Sequence, residues 1–326
     1  MRSFQHHNVY SLEGAFTLLR DYESRARLIA GGTDLLGTLK GDIRLDYPEA
    51  LINIKTIPDL NGIKEDNEGL KIGALTRLVH IVRSSVIEGK YGLLKEAAGS
   101  VGTPEIRNMG TIGGNLCQDT RCWYYRYPNQ MGGRILCYRK GEGPCHAIKG
   151  DNRYHAIMGG KGCYAVCPSD IAIALTALDA ELTVAHAGGE RVLPIADFYQ
   201  TLGHILKPDE ILAKIRVPQP PDNAAQAFLK YRLRESVDFS IVSVASVITM
   251  EDGICKDTRI VLGAVAPTPF RALAAEEAIR GKTLDTTMAE EAAEAAVSIA
   301  KPLSMNVYKI EITKALVKRA LLSSLP

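Results

Sequence analysis

Thr111-Ile-Gly-Gly-Asn-Leu116 runs directly into a glycine-rich stretch holding Cys117, Cys122, Cys137, Cys145, Cys163 and Cys167, six of the chain's seven cysteines. A second glycine signature, Ala30-Gly-Gly-Thr-Asp-Leu-Leu36, lies upstream. Paired glycines let backbone amides approach a phosphate with no Cβ in the way. Thr33 adds a hydroxyl donor to the first pair, and Gly113-Gly114-Asn115 repeats the arrangement. Neither segment is a P-loop, since no Gly-Lys-Ser/Thr follows, and neither is the G-x-G-x-x-G fingerprint. Singly, each is more often a plain tight turn. Two together could clasp a pyrophosphate from both sides. With thiolates so near, they point to a redox protein holding one organic and one inorganic cofactor.

The 326 residues exceed one ordinary core, so two or three domains are expected. A formal net charge of +2 gives no electrostatic reason to bind nucleic acid. No apolar run approaches the roughly 20 residues needed to span a bilayer. Met-Arg-Ser-Phe-Gln-His-His at the start lacks the apolar stretch of a secretory signal. A cytoplasmic location is therefore expected, where thiols stay reduced and favour metal over disulfides.

Local patterns place a β-α-β unit first, with a helix over 11–22 capped by Ser11 and strands at 27–30 and 51–54. A hairpin follows at 62–74, then helices at 78–84 and 92–98. Residues 118–162 lose all periodicity, which is uncommon unless a loop has a function. Regular structure resumes with a helix over 169–180 capped by Ser169, a hairpin over 181–194 and a strand over 210–217. Pro218-Gln-Pro-Pro221 reads as a linker. Beyond it come three strands, 227–234, 241–250 and 257–266, then helices at 272–280, 288–300 and 306–322. Strands followed by helices read as an α+β domain.

The two glycine loops resemble those of the flavin-binding medium subunits of molybdenum hydroxylases, the xanthine dehydrogenase and carbon monoxide dehydrogenase types. Pro104-Glu-Ile-Arg-Asn-Met-Gly110, Pro168-Ser-Asp170, Lys230-Tyr-Arg232 and Asp238-Phe-Ser240 extend the likeness over nearly the whole chain. The resemblance implies an α+β architecture. Residues 1–218 would be an FAD-binding domain of two subdomains (about 1–56 and 57–218), with an insertion at about 118–163. Residues 222–326 would be a C-terminal flavoprotein domain with a three-stranded antiparallel sheet and helices. It also implies that Ile29, Ala30, Gly31, Gly32, Thr33, Asp34 and Leu35, through Leu36, line the FAD diphosphate with Thr111, Gly113, Gly114 and Asn115. Asp170 would reach the ribitol or ribose hydroxyls, with Leu212 and Lys230 near the isoalloxazine. Alone, Asp170 could be an ordinary first-turn acid, Leu212 core, and Lys230 a solvated strand end.

Ordinary members of that family lack the insertion. Zinc knuckles want C-x2-C pairs, and none occurs here. Scattered thiolates on a wrapping loop suit an iron-sulfur cube. Arg121-Cys122-Trp-Tyr-Tyr125 and Gly143-Pro-Cys145-His146 resemble the flavin and iron-sulfur subunit of the 4-hydroxybenzoyl-CoA reductase branch. That likeness implies a [4Fe-4S] cluster on Cys122, Cys137, Cys145 and Cys163, with Cys167 the rival for the fourth place. Cys117 is read as a buried small side chain and Cys255 as inert beside a turn, and His146 and His155 as hydrogen-bonding or surface residues.

The chain shows no substrate-converting constellation. The resemblance implies an electron-transfer subunit of a heteromeric oxidoreductase, doubled as a dimer of heterotrimers. Its partners would be a molybdopterin large subunit and a [2Fe-2S] small subunit, with ferredoxin or another low-potential carrier outside. Electrons would flow toward a dearomatising reduction of an aromatic acyl-CoA. One alternative is outward flow from a purine or N-heterocycle hydroxylase. Another is a zinc-stabilised nucleotide-binding module.

Overall fold

The computed structural model describes residues 1–325. Strands β1 (Gln5–Asn8), β2 (Ala26–Ile29) and β3 (Ala50–Asn53) form a parallel sheet in the order β1-β3-β2. Every β3 residue is buried, as expected for the central strand of a covered parallel sheet. Helix α1 (Leu12–Tyr22) crosses between β1 and β2; Ser11 caps it by accepting from the Gly14 amide at 3.2 Å. Helix α2 (Leu35–Gly41) starts directly after the first glycine loop.

The next sheet is antiparallel. Its strands are β4 (Ile63–Asp66), β5 (Gly69–Gly73), β6 (Glu181–His186), β7 (Gly189–Pro194) and, after the small hairpin β8 (Tyr199–Gln200) and β9 (Gly203–His204), β10 (Ile211–Val217). They order as β4-β5-β10-β6-β7. Between β5 and β6 come helices α3 (Leu78–Arg83), α4 (Ser85–Lys90), α5 (Gly92–Gly99), α6 (Pro104–Met109), α7 (Ile112–Leu116) and α8 (Asp170–Ala177). The sequence reading missed α4, α6 and α7. They are too short for periodicity to register, yet Thr103-Pro104 carried a start signal: Thr103 caps α6, and Pro104 opens it. Helix α8 is buried along its whole length, because Ile, Ala and Leu surround its axis. Ser169 caps it by accepting from Ala172 at 3.0 Å. It ends at Ala177, earlier than expected, and Asp179 turns the chain at φ 50°.

The C-terminal sheet has four antiparallel strands, where three were expected: β11 (Ala224–Tyr231), β12 (Val242–Glu251), β13 (Ile254–Gly263) and β14 (Phe270–Arg271). A two-residue strand carries too little pattern to be read. Helices α9 (Leu273–Ile279), α10 (Thr286–Ala296) and α11 (Tyr308–Leu322) cover this sheet. Helix α8 packs between α5 on one side and β12 and β13 on the other. Gly263 permits that approach: a Cβ there would stand 2.8 Å from Ile173 Cγ1.

From Gln118 to Pro168 the chain has no strand or α-helix, only 3-10 turns at Asn129–Met131, Tyr138–Lys140 and His146–Ile148. The stretch is nonetheless pinned on three sides. Arg134 Nε donates to the Asp42 carbonyl at 2.7 Å. Arg139 donates to the carbonyls of Thr201 and Leu202. Asn152, fully buried, donates to Ala147 O and Ser304 Oγ, and its Oδ1 accepts from the Met305 amide. Among the described residues, no helix is long and apolar enough to cross a membrane.

Candidate functional site

The first glycine loop leaves β2 at Ile29 and enters α2 through Ala30, Gly31, Gly32, Thr33 and Asp34. The amides of Gly31, Gly32 and Thr33 have no acceptor among the described residues. Gly32 has φ 70°, where a side chain is strained. Gly31 has a different reason: a Cβ there would stand 2.2 Å from the Met109 carbonyl oxygen. The first glycine loop thus abuts Met109 and Gly110, just ahead of the second, and only a residue without a side chain fits there. Unpartnered amides beside a Cβ-free seam fit a diphosphate.

The second loop works differently from the sequence expectation. Its amides already have acceptors: Ile112 donates to Thr76 O, Gly113 to Ala74 O, Gly114 to Thr111 Oγ1 and Asn115 to Thr111 O. Gly113 is needed for contact, since its Cβ would lie 2.8 Å from that of Ala74. This loop can offer side chains rather than a second cradle of amides. Asn115 Oδ1 accepts from Ser169 Oγ at 2.6 Å, tying the loop to the start of α8.

Asp34 is held by the aperiodic stretch that follows Cys117. Its Oδ2 accepts from the Asp119 amide at 2.8 Å, and its Oδ1 lies 2.7 Å from Arg121 and 2.6 Å from Arg126. Burial lowers Arg121 to about 10, with Asp34 opposing, so it stays charged at neutral pH. The Arg121 guanidinium also stacks over Phe239, 4.7 Å from the ring centre.

Arg121, Ser169, Asp170, Phe239, Ser240 and Ser243 line a cavity where α8 meets the C-terminal domain. Asp170 and Lys230, each assigned to the flavin by resemblance, are paired with each other here. Lys230 Nζ lies 2.7 Å from Asp170 Oδ2, and Ser240 Oγ donates to Asp170 Oδ1 at 2.5 Å. Leu212 lies in the main core and lines neither this cavity nor the next.

Cys122, Cys137, Cys145 and Cys163 all line a second cavity. Cys167 does not; it lies in the core and faces the first cavity, and burial pushes its thiol up to about 12. Cys117 is likewise raised to about 12 by burial, and Cys255 is fully buried in the C-terminal domain. Burial pushes the Cys122 thiol up to about 11, against the opposing Tyr124 and Tyr125 amides that donate to its sulfur. Among the described residues, no three His, Cys, Asp or Glu side chains gather around one metal ion. A cube differs from a single ion in this respect, because each thiolate binds a separate iron at a separate corner. Four cysteines spaced around a cavity fit that donor set.

The cavity's surroundings suit a buried anionic group. Arg139 lines it, and Lys140 lies near Cys137 and Cys122, whose thiolates favour its charge against burial. Trp123, Tyr124 and Tyr154 form an aromatic cover. Sequence reasoning missed two residues here. Arg121 had only its adjacency to Cys122 as a signal. His155, read as a bland histidine, is buried with Nε2 at 3.2 Å from Cys122 Sγ.

A family profile described as the FAD binding domain in molybdopterin dehydrogenase matches residues 2–220. One described as the CO dehydrogenase flavoprotein C-terminal domain matches residues 227–324. The aldehyde oxidoreductase FAD-binding subunit PaoB of Escherichia coli (strain K12) is 34% identical over 298 residues, covering 89% of this chain and 88% of that one. The carbon monoxide dehydrogenase medium chain of Hydrogenophaga pseudoflava is 28% identical, covering 98% and 96%. A solved structure of carbon monoxide dehydrogenase from the same organism, lacking the Mo-pyranopterin moiety, superposes with a TM-score of 0.80 at 28% identity over 100% of this chain and 99% of that one.

Proposed function

The chain belongs to the FAD-binding medium subunits of the molybdenum hydroxylase family, and we propose that it serves such an enzyme as an electron relay carrying FAD and a [4Fe-4S] cluster. One observation carries the relay. Arg121 lines the cavity beside Asp170, and Cys122, the next residue, lines the cysteine cavity. A second segment does the same, with Cys163 and Ala165 on one side and Val166 to Asp170 on the other. The two cavities are thus separated along the chain by single peptide links of about 3.8 Å.

Bound flavin supplies exchange between two-electron and one-electron chemistry, and a cluster carries single electrons. The residues of this chain bind, separate and shield the two groups. The free amides of Gly31, Gly32 and Thr33 would hold the diphosphate, with Thr111 and Asn115 contributing from the other side. Asp170, fixed by Lys230 and Ser240, would face the flavin hydroxyls. Cys122, Cys137, Cys145 and Cys163 would ligate the cluster, and Arg139 and Lys140 would offset its negative charge.

The assembly we propose adds a molybdopterin large subunit and a [2Fe-2S] small subunit, as a cytoplasmic dimer of heterotrimers with a ferredoxin-like external partner. Two substrate readings stand on different observations. Reduction of an aromatic acyl-CoA, in the manner of 4-hydroxybenzoyl-CoA reductase, is supported by the four-cysteine insertion. Oxidation of an aldehyde, with electrons leaving outward, is supported by the 34% identity to the aldehyde oxidoreductase subunit. The zinc-stabilised module is set aside, because the chain belongs to a family of oxidoreductase FAD subunits.

Flavin and iron analysis of the purified holoenzyme tests the relay. One FAD and about four irons per copy of this chain, beyond those of the small subunit, are expected. Flavin without the extra iron would sink the cluster. Bleaching by an aldehyde, or reoxidation of the reduced enzyme by an aromatic acyl-CoA, separates the two substrate readings.

A further inference from the structure

We propose that His155 is a positioning residue for the cluster, donating from Nε2–H to the Cys122 thiolate and raising the cluster's reduction potential. This rests on the cluster reading above. His155 is only 3% exposed, and its ring lies against Trp123 and Tyr124, with ring centres 5.6 and 6.1 Å away. Its backbone is fixed as well. The amide donates to Asn152 O at 3.0 Å, and the carbonyl accepts from Asn306 Nδ2 at 3.0 Å and Lys309 Nζ at 3.1 Å. Asn152, Asn306 and Lys309 are all fully buried.

The direction of the bond follows from the sulfur. A metal-bound thiolate has lone pairs and no proton, so it can only accept, and Nε2 must carry the hydrogen. Nδ1 is then the bare nitrogen, and it is buried with no partner. The reverse tautomer would set two lone pairs against each other at 3.2 Å. Among the described residues, the Cys137, Cys145 and Cys163 sulfurs receive no side-chain donor, so this contact distinguishes one corner of the cavity. Reduction adds negative charge to a cluster. An N–H aimed at a ligand sulfur stabilises the more negative state more, and so raises the potential.

Two variants separate the hydrogen bond from the packing. His155→Phe keeps a ring against Trp123 and Tyr124 but has no donor; His155→Gln keeps a donor but no ring. The readout is an EPR-monitored redox titration of the holoenzyme, following the cluster's own signal. His155→Phe is expected to lower the reduced-to-oxidised ratio about tenfold at a fixed poise, ~59 mV for one electron. His155→Gln should stay near the parent. An unchanged potential in His155→Phe, or loss of iron from both variants, overturns the inference while leaving the relay intact. A parent enzyme without this chain's iron overturns the relay reading itself, and this inference with it.

Discussion

Lys230 Nζ stands 2.7 Å from Asp170 Oδ2, with the two side chains 6% and 8% exposed. The pair joins β11 of the C-terminal domain to the first turn of α8, across the wall of the cavity assigned to the flavin. Lys230 also donates to Ser100 O at 3.1 Å, so its ammonium bridges both domains.

Removing one partner of such a pair leaves a buried charge without its counter-charge. Asp170→Ala is expected to cost about 3–5 kcal/mol. Adding Lys230→Met should recover part of that loss, because the second change removes the stranded ammonium. A double-mutant cycle in denaturant unfolding measures the coupling. Additive losses would mean that the pair is not coupled.

Gly31→Ala places a methyl 2.2 Å from the Met109 carbonyl oxygen and should force the first glycine loop away from Met109 and Gly110. Flavin content should fall steeply. Gly37→Ala, six residues on in α2, meets nothing within 4 Å and should be neutral or stabilising by about 0.5–1 kcal/mol. The flavin-to-protein ratio of the two purified variants decides the point. Full flavin in Gly31→Ala would contradict the seam.

Cys145→Ser and Cys163→Ser should each lose cluster iron and keep FAD. Cys167→Ser should keep both, since its sulfur faces away from the four-cysteine cavity. Iron and flavin assays on the three proteins check this. Iron loss in Cys167→Ser with retention in Cys163→Ser would reverse the ligand assignment.

Lys309 is fully buried, and its ammonium donates to the carbonyls of His155 and Ala264. Burial lowers it from 10.5 to about 7. Between those values the unfolded chain holds a proton that the folded chain has released, so rising pH favours the fold. Below about 7 both states are charged and this slope vanishes. From pH 7 to 9 the parent should gain on Lys309→Met by about 1.4 kcal/mol per pH unit. Parallel pH profiles in urea unfolding would show that Lys309 stays charged in the fold.

Local chemistry made much of the fold legible. Ser11 and Ser169 were read as caps and cap their helices through the Gly14 and Ala172 amides. The Glu251-Asp-Gly253 turn joins β12 to β13, with Gly253 at φ 78°. Side-chain direction across the aperiodic stretch from 118 to 168 was not legible. Cys163 and Cys167 differ by only four positions, and no repeat says which of them faces the other thiols.

By itself the sequence determined the two glycine loops, the capped helices, the Pro218–Pro221 break and the presence of six thiols in one stretch. Each of these depends on backbone freedom, a cap or a periodicity within a few residues. The tertiary structure alone decided that Arg126 reaches Asp34 across 92 positions, that Lys230 meets Asp170 across 60, and that four particular sulfurs share a cavity. In a stretch without helix or strand, orientation comes from distant anchors such as Asn306 and Lys309, and those contacts exist only once the chain has closed upon itself.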